Sequence, residues 1–78
     1  MKRISKAKMR EIAERELRRQ AQRYRRAWGG TGRDSSYTLE KEAAVFAVED
    51  VLAELGIMTI DESEAIVDEV MAGLKDYP

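Results

Sequence analysis

The sequence contains neither cysteine nor histidine. Without cysteine there is no disulfide and no thiolate metal site, and nothing indicates an oxidising compartment. Histidine is the commonest metal ligand and general base in proteins, so its absence leaves nucleophilic catalysis without its usual proton acceptor. We therefore expect no metal, no cofactor and no enzymatic activity, and we expect the 78-residue chain to act by binding.

Long apolar segments are also missing. No run approaches the roughly 20 residues that a membrane-spanning helix needs, and the charged N-terminus lacks the apolar stretch of a secretory signal. We expect a cytoplasmic location and no membrane partner. Charged residues make up 37% of the chain and hydrophobic residues 44%, with strong periodicity, which predicts one folded domain over residues 1–78.

The charge is divided between the two halves of the chain. Residues 1–33 contain 12 of the 14 basic residues and three acidic ones, which gives a net charge of +9. Residues 34–78 contain two basic and 12 acidic residues, a net charge of −10, so the overall charge of −1 hides two opposite poles. Poles of this size on a small protein attract charged partners and speed encounter with them.

Apolar periodicity predicts an all-α fold, a small assembly of three helices. The first is a long basic amphipathic helix over residues 5–28, followed by a glycine-rich loop over residues 29–37. The second helix is predicted over residues 39–55 and the third over residues 60–74. A turn at residues 56–59 makes these two an acidic antiparallel hairpin. The apolar stripe of the first helix consists of Met9, Ala13, Leu17, Ala21, Tyr24 and Trp28.

Capping signals define the ends of the two later helices. Thr38 is the predicted N-cap of the second helix, and Gly56 in a left-handed conformation, with Ile57 folding back, predicts a Schellman end. Thr59 and Glu62 have the spacing of a capping box at the start of the third helix. The second helix is apolar nearly all round, which predicts that it lies at the centre of the fold.

The basic side of the first helix is one candidate binding surface. Arginine suits bidentate phosphate contacts, so this side could bind a nucleic-acid backbone without reading bases, or an acidic protein. The alternative is a solvated face that the acidic hairpin of the same chain partly neutralises. The residues concerned are Lys8, Arg15, Arg18, Arg19, Arg23, Arg25 and Arg26.

The acidic hairpin is the second candidate surface. Its carboxylates could imitate the charge of a nucleic-acid backbone and occupy a basic groove on a larger protein. The alternative is simply the solvated side of two amphipathic helices, and we expect most of these side chains to point to solvent. They are Glu49, Asp50, Glu54, Asp61, Glu62, Glu64, Asp68 and Glu69.

Four aromatic residues are candidate interface anchors. Tyr24, Trp28 and Tyr37 flank the glycine-rich loop, where they could stack on bases, anchor an interface or close the end of the core. Phe46 lies on the less obvious face of the second helix and indicates a homodimer. A helix-turn-helix DNA reader is disfavoured, because the third helix has five acidic residues and no basic one before Lys75.

In size, in its lack of cysteine and histidine, and in charge polarity the chain resembles the small inhibitors carried by bacterial viruses, including anti-CRISPR proteins. The resemblance implies an inhibitor or adaptor that acts on a larger protein, such as a nucleic-acid-binding complex. The preferred interpretation is a non-catalytic protein–protein interaction module that docks a charged helical surface on that partner. The alternatives are a small nucleic-acid-binding protein that uses the arginines of the first helix, and a dimer whose poles pair head to tail.

Overall fold

The structure is a computed structural model that describes residues 3–74. It contains three α-helices, α1 (Lys6–Thr31), α2 (Ser36–Glu54) and α3 (Ile60–Val70), and no strand within the described residues. The predicted all-α assembly of three helices is confirmed. The molecule is elongated, with principal extents of 47 × 21 × 17 Å, because α1 is far longer than the two helices packed along it.

Helix α1 is longer than predicted. It continues through Gly29 and Gly30 and ends at Thr31, whose hydroxyl donates to the carbonyl of Ala27 at 2.9 Å. Gly32 ends the helix with a φ of 92°. Of the three glycines in this segment only Gly32 adopts the left-handed conformation that ends a helix, so the first two stay helical and the predicted end was wrong.

The connection between α1 and α2 is accordingly much shorter than the predicted loop over residues 29–37. Helix α2 begins at Ser36, and its N-cap is Ser35, whose hydroxyl accepts from the Thr38 N–H at 3.1 Å. Thr38, the predicted N-cap, is instead fully buried, and its hydroxyl donates to the carbonyl of Gly32 at 2.6 Å. Both residues are good caps, and the part-buried hydrogen bond from Thr38 to the loop leaves Ser35 to start the helix.

The turn between α2 and α3 is confirmed. Gly56 has a φ of 69°, and its N–H donates to the carbonyl of Ala53 at 3.1 Å. The N–H of Ile57 donates to the carbonyl of Leu52 at 3.0 Å, which completes the Schellman pair of hydrogen bonds. These bonds occupy carbonyls that the last turn of α2 would otherwise leave unpaired.

Helix α3 begins as predicted and ends earlier. Thr59 and Glu62 form the capping box, each side chain accepting from the backbone N–H of the other residue. The helix ends at Val70 rather than at residue 74, and a turn follows that contains Gly73 with a φ of 90°. Apolar spacing continues to the buried Leu74, and that spacing misled the prediction.

The centre of the fold is α1, and the prediction that α2 lies there was wrong. Helix α1 packs along both other helices, whereas the α2–α3 contact is the smallest of the three. Leu17 of α1 and Val45 of α2 are fully buried in the core between them. The second apolar side of α2, with Leu39 and Phe46, is exposed to solvent. Val51 and Leu55, at the edge of the first apolar side, are exposed as well.

Candidate functional site

One side of the basic helix faces α3 and is engaged with it. Arg10 donates to the carboxylate of Glu62 and to the carbonyl of Ile57, the latter at 3.2 Å. Arg18, one of the predicted binding cations, donates to the carboxylate of Glu69 at 3.2 Å. Oppositely charged helices of one chain thus meet along a line that we call the α1–α3 edge.

Arg25 belongs to the same edge. Its guanidinium donates to the carbonyls of Val70 and Ala72, at 2.9 and 2.8 Å. The Val70 carbonyl lies at the C-terminal end of α3, where the helix dipole favours a cation, and the Ala72 carbonyl lies in the turn that follows. The acidic helix of the same chain therefore engages two of the seven predicted basic-surface residues, Arg18 and Arg25.

The other five cations lie on the opposite side of α1, which we call the outer face. Arg15, Arg23 and Arg26 are exposed and make no hydrogen bond or ion pair with any residue of the described range 3–74. Lys8 and Arg19 have local partners, the glutamates at positions 11 and 16, at 3.6 and 3.7 Å. The outer face thus remains a line of solvated positive charge.

A shallow groove lies at the end of the outer face where α1 meets α2. It has a volume of about 480 Å³, and Arg23, Arg26, Tyr37 and Lys41 contribute to its walls. The Lys41 ammonium lies 5.1 Å from the centroid of the Tyr37 ring. Tyr37 is exposed in the first turn of α2 and contributes an aromatic ring to this basic groove.

A second groove opens between α2 and α3, on the acidic side of the molecule, and we call it the acidic groove. Its volume is about 230 Å³. It combines three aromatic side chains, four carboxylates and two aliphatic side chains. Its lining residues are Tyr24, Trp28, Glu42, Phe46, Glu49, Glu64, Val67, Asp68 and Met71.

The aromatic end of the acidic groove is ordered by contacts with its neighbours. The Tyr24 hydroxyl donates to the carboxylate of Glu42 at 2.8 Å. Burial, and to a lesser extent that hydrogen bond, raises the pKa of Tyr24 to about 12, so the hydroxyl stays a donor at neutral pH. The Tyr24 and Trp28 rings are tilted with centroids 5.7 Å apart, and the Arg33 guanidinium lies 5.4 Å from the Trp28 centroid.

Glu49 is the unexpected member of the groove. It is an exception to the expectation that most of the acidic set points to solvent, because only 4% of the residue is exposed. Its carboxylate has no hydrogen bond or ion pair with any residue between 3 and 74. Burial raises its pKa, and the nearby carboxylates raise it further, with Glu64 the largest contributor.

Spacing along α2 could have located Glu49. It follows Val45 by four positions and precedes Leu52 by three, and both of those residues are in the core. That places the carboxylate on the buried stripe of α2, whereas composition alone assigned it to the acidic surface. No comparable signal identified Glu42 as the partner of Tyr24, because that contact joins two helices.

The other acidic candidates differ in their hydrogen bonds and ion pairs with the rest of the chain. Glu62 is the most engaged, and its hydrogen bond with Arg10, followed by those with Thr59, lowers its pKa. Glu69 is exposed but paired with Arg18. The expectation that most of the set faces solvent is confirmed for Asp50, Glu54, Asp61, Glu64, Asp68 and Glu69.

The four candidate aromatics divide between core and surface. Tyr24 is buried and Trp28 half-buried, and both belong to or pack against the core while lining the acidic groove. Phe46 is 53% exposed at the same groove. Tyr37 alone lies elsewhere, in the basic groove. Three of the four aromatics therefore meet at one site, and the sequence analysis did not predict that they lie together.

Within residues 3–74 no group of acidic side chains is arranged to hold a metal ion. Each of the three described helices is too short or too polar to cross a membrane. No protein-family model matches the chain, and no match was found among curated proteins or solved structures. The two charged surfaces therefore carry the functional proposal.

Proposed function

We propose that this protein is a non-catalytic protein–protein interaction module that docks its acidic groove, and the acidic face around it, on a basic surface of a larger protein. The observation that carries the proposal is the meeting of four carboxylates and three aromatic side chains in one concave site. Aromatic anchors in pockets supply most of the affinity of protein interfaces, and complementary charge supplies steering and specificity.

The contacts made by the basic residues of α1 also favour the acidic groove as the docking site. Arg10, Arg18 and Arg25 hold α3 against α1, so part of the basic charge serves the fold. The acidic groove has no such cation from the described part of the chain at Glu49. A site that combines concave shape, aromatic rings and several carboxylates is better suited to a specific partner than a convex charged helix is.

In its simplest form the module is an inhibitor or adaptor. An acidic face that imitates the charge of a nucleic-acid backbone would occupy the basic groove of a nucleic-acid-binding complex and exclude its substrate. The compositional resemblance to small phage-borne inhibitors, including anti-CRISPR proteins, agrees with that form. A cytoplasmic location is part of the proposal and rests on sequence composition.

The second candidate function is nucleic-acid binding by the outer face of α1. The observation that favours it is a set of exposed arginines that pair with nothing in residues 3–74, Arg15, Arg23 and Arg26, with the basic groove beside Tyr37. Phosphate contacts need no base-reading code, and an aromatic ring beside them could stack on a base. This function and the first use opposite sides of the molecule.

Two titrations distinguish the functions. In the first, fluorescein-labelled peptides that alternate glycine with arginine or lysine are titrated with the wild type, with Glu64→Lys at the acidic groove and with Glu40→Lys as control. Glu40 is exposed on α2 and does not line the groove, and the charge change is the same. We expect Glu64→Lys to weaken binding and Glu40→Lys to leave it nearly unchanged; equal loss in both variants would contradict a site at the groove.

In the second titration, labelled single-stranded and duplex DNA and RNA are mixed with the protein at about 50 and 200 mM salt. For a protein that makes about six phosphate contacts, this rise in salt lowers the affinity on the order of a thousandfold. The proposed function predicts no such binding. Steeply salt-dependent binding that is abolished by the triple variant Arg15→Glu/Arg23→Glu/Arg26→Glu would establish the second function instead.

A further inference from the structure

We propose that the acidic groove is a receptor site for one arginine side chain of the partner protein, whose guanidinium enters between α2 and α3 and pairs with the carboxylate of Glu49. The inference rests on the proposed function and adds the chemical class of the side chain that is recognised. It also names the residue that recognises it.

Glu49 is buried although its side chain is a carboxylate. Removing a carboxylate from water without a hydrogen bond or a counter-charge is strongly unfavourable for the ionised form. Glu49 is 4% exposed, and within residues 3–74 nothing pairs with it. Two other half-buried glutamates of the chain have partners, since Glu42 accepts from Tyr24 and Glu62 from Arg10. No fully enclosed side-chain oxygen or nitrogen within residues 3–74 lacks a hydrogen-bond partner, so the unpaired Glu49 carboxylate keeps contact with the open groove, where a cation from another molecule can reach it.

Other carboxylates surround Glu49. Glu42 and Asp50 stand on α2, and Glu64 and Asp68 face it from α3. Tyr24 of α1 contributes a neutral hydroxyl, so the charged side chains within residues 3–74 that line the groove are carboxylates, and Arg33 lies beside them over the Trp28 ring. Such a field attracts a cation and repels an anion. Burial and these neighbours raise the pKa of Glu49, which is the state expected of a carboxylate awaiting a counter-charge.

The shape and lining of the groove suit a long side chain with a charged head. Its volume of about 230 Å³ admits a side chain but not a helix. Phe46, Val67 and Met71 offer apolar contact for the methylene stem of a long side chain, while the carboxylates lie on two facing helices. A long stem with a charged head is the property of arginine and lysine.

The chemistry of the guanidinium group favours arginine over lysine. A guanidinium has five donors in a planar fork, so it can reach carboxylates on α2 and α3 together, and it stacks on aromatic rings. It is also more weakly hydrated than an ammonium ion, which lowers the cost of entering a site as enclosed as Glu49. The chain itself shows the stacking, since the Arg33 guanidinium lies over the Trp28 ring at 5.4 Å.

The test uses the fluorescence of Trp28, the only tryptophan of the chain, which lines the groove. Full-length protein is titrated at neutral pH and low ionic strength with three peptides in which glycine alternates with arginine, lysine or citrulline. Citrulline has the shape of arginine without its charge. The variants are Glu49→Gln, which keeps the shape and removes the charge, and Glu40→Gln as the matched exposed control.

We expect the arginine peptide to change Trp28 fluorescence and to bind at least about tenfold more tightly than the other two peptides. Loss of one partner of a buried charge pair weakens binding more than about tenfold, so Glu49→Gln should do so and Glu40→Gln should not. Because Glu49→Gln removes an unpaired buried charge, the variant should fold, and circular dichroism checks this. Amide shift mapping of the wild type with the arginine peptide gives a readout that needs no variant, and the shifts should centre on the groove.

The outcomes separate this inference from the proposed function. If both basic peptides bind equally well and Glu49→Gln binds like the wild type, while Glu64→Lys weakens binding, the arginine site is overturned and the acidic docking surface stands. If no basic peptide binds to the wild type, both proposals fail. Self-association of the protein alone, detected by light scattering and lost in Glu49→Gln, would assign the groove to an arginine of a second copy and overturn the assignment to another protein.

Discussion

Acidic side chains lie on both sides of α3, but the pairing of carboxylates with cations differs between the α1–α3 edge and the acidic groove. At the α1–α3 edge, Glu62 and Glu69 meet Arg10 and Arg18, so the carboxylates are paired within the chain. At the acidic groove, Glu49 is buried without a partner in the described residues, and an aromatic side chain, Phe46, is left half in solvent. The first arrangement stabilises the fold and leaves little for a ligand to add, whereas the second leaves a counter-charge for a ligand to provide.

The pKa values of Glu62 and Glu49 shift in opposite directions, as expected for one paired and one unpaired carboxylate within the described residues. The Arg10 guanidinium holds the pKa of Glu62 below its ordinary value, so ionised Glu62 favours the fold. Burial raises the pKa of Glu49, so its ionised form disfavours the fold. Composition alone cannot separate these two glutamates, because the difference comes from what each one faces.

The largest loss of stability is expected from a substitution in the core that lies beneath both regions. Leu17 is fully buried in α1, and Leu17→Ala should cost about 2–5 kcal/mol in the free energy of unfolding, because a cavity adds to the lost burial. Chemical denaturation followed by circular dichroism measures it. Ile12→Ala, at a position of α1 that is 40% exposed, is the control and should cost far less. Similar losses in the two variants would mean that α1 does not pack on the core as described.

A smaller loss of stability is expected when the N-cap of α3, at the α1–α3 edge, is removed. Thr59→Ala removes the cap that starts α3 and orients Glu62 toward Arg10, and it should cost about 1 kcal/mol in unfolding free energy. Thr59→Ser keeps the hydroxyl and should retain most of that stability. If alanine and serine were equally tolerated in denaturation experiments, the capping box would not contribute to the fold.

The charge of Glu49 gives a prediction about pH. Its folded pKa lies above the ordinary value of 4.5, so the wild type should lose stability as pH rises from 4.5 through that raised pKa, where the folded state holds the extra proton. Glu49→Gln removes this loss, so the variant should be the more stable protein at pH 7 and nearly equal to the wild type below pH 4.5. Urea denaturation across this pH range measures it, and a less stable variant at pH 7 would show that Glu49 has a counter-charge in the free protein.

Glu62→Gln should change stability at neutral pH in the opposite direction to Glu49→Gln. Glutamine still closes the capping box, so the substitution isolates the charge. The folded pKa of Glu62 lies below 4.5, so its ionised form adds stability that is present at neutral pH and is lost as pH falls through the lowered pKa. The variant should be slightly less stable than the wild type at pH 7, with the difference closing in acid. No difference at either pH would show that solvent screens the pair with Arg10 completely.

Sequence patterns predicted the parts of this fold that depend on neighbours along the chain. The Schellman end at Gly56 and the capping box from Thr59 to Glu62 are local, and both were predicted correctly. The helical state of Gly29 and Gly30 was missed, because φ at a glycine depends on how the chain packs beyond it. The choice of Ser35 over Thr38 as N-cap depended in the same way on a part-buried hydrogen bond to the loop.

The acidic groove was only partly predictable for the same physical reason. Its carboxylates and aromatics were individually candidates, and the period of α2 indicates that Glu49 shares a stripe with Val45. Their meeting depends on α1 lying at the centre of the fold, with Tyr24 and Trp28 below the gap between α2 and α3. No local signal predicted that order of helices, because α2 is apolar on two sides and only one of them is covered.

The most direct test is the carboxyl pKa of Glu49, measured by carbon-detected NMR in the free protein and in the presence of saturating arginine–glycine peptide. The account predicts that Glu49 titrates above its ordinary value of 4.5 in the free protein and that its pKa falls when a guanidinium pairs with it. A carboxyl group that titrates near 4.5 in the free protein, and is unchanged by the peptide, would contradict the claim that the groove holds an unpartnered charge awaiting a cation.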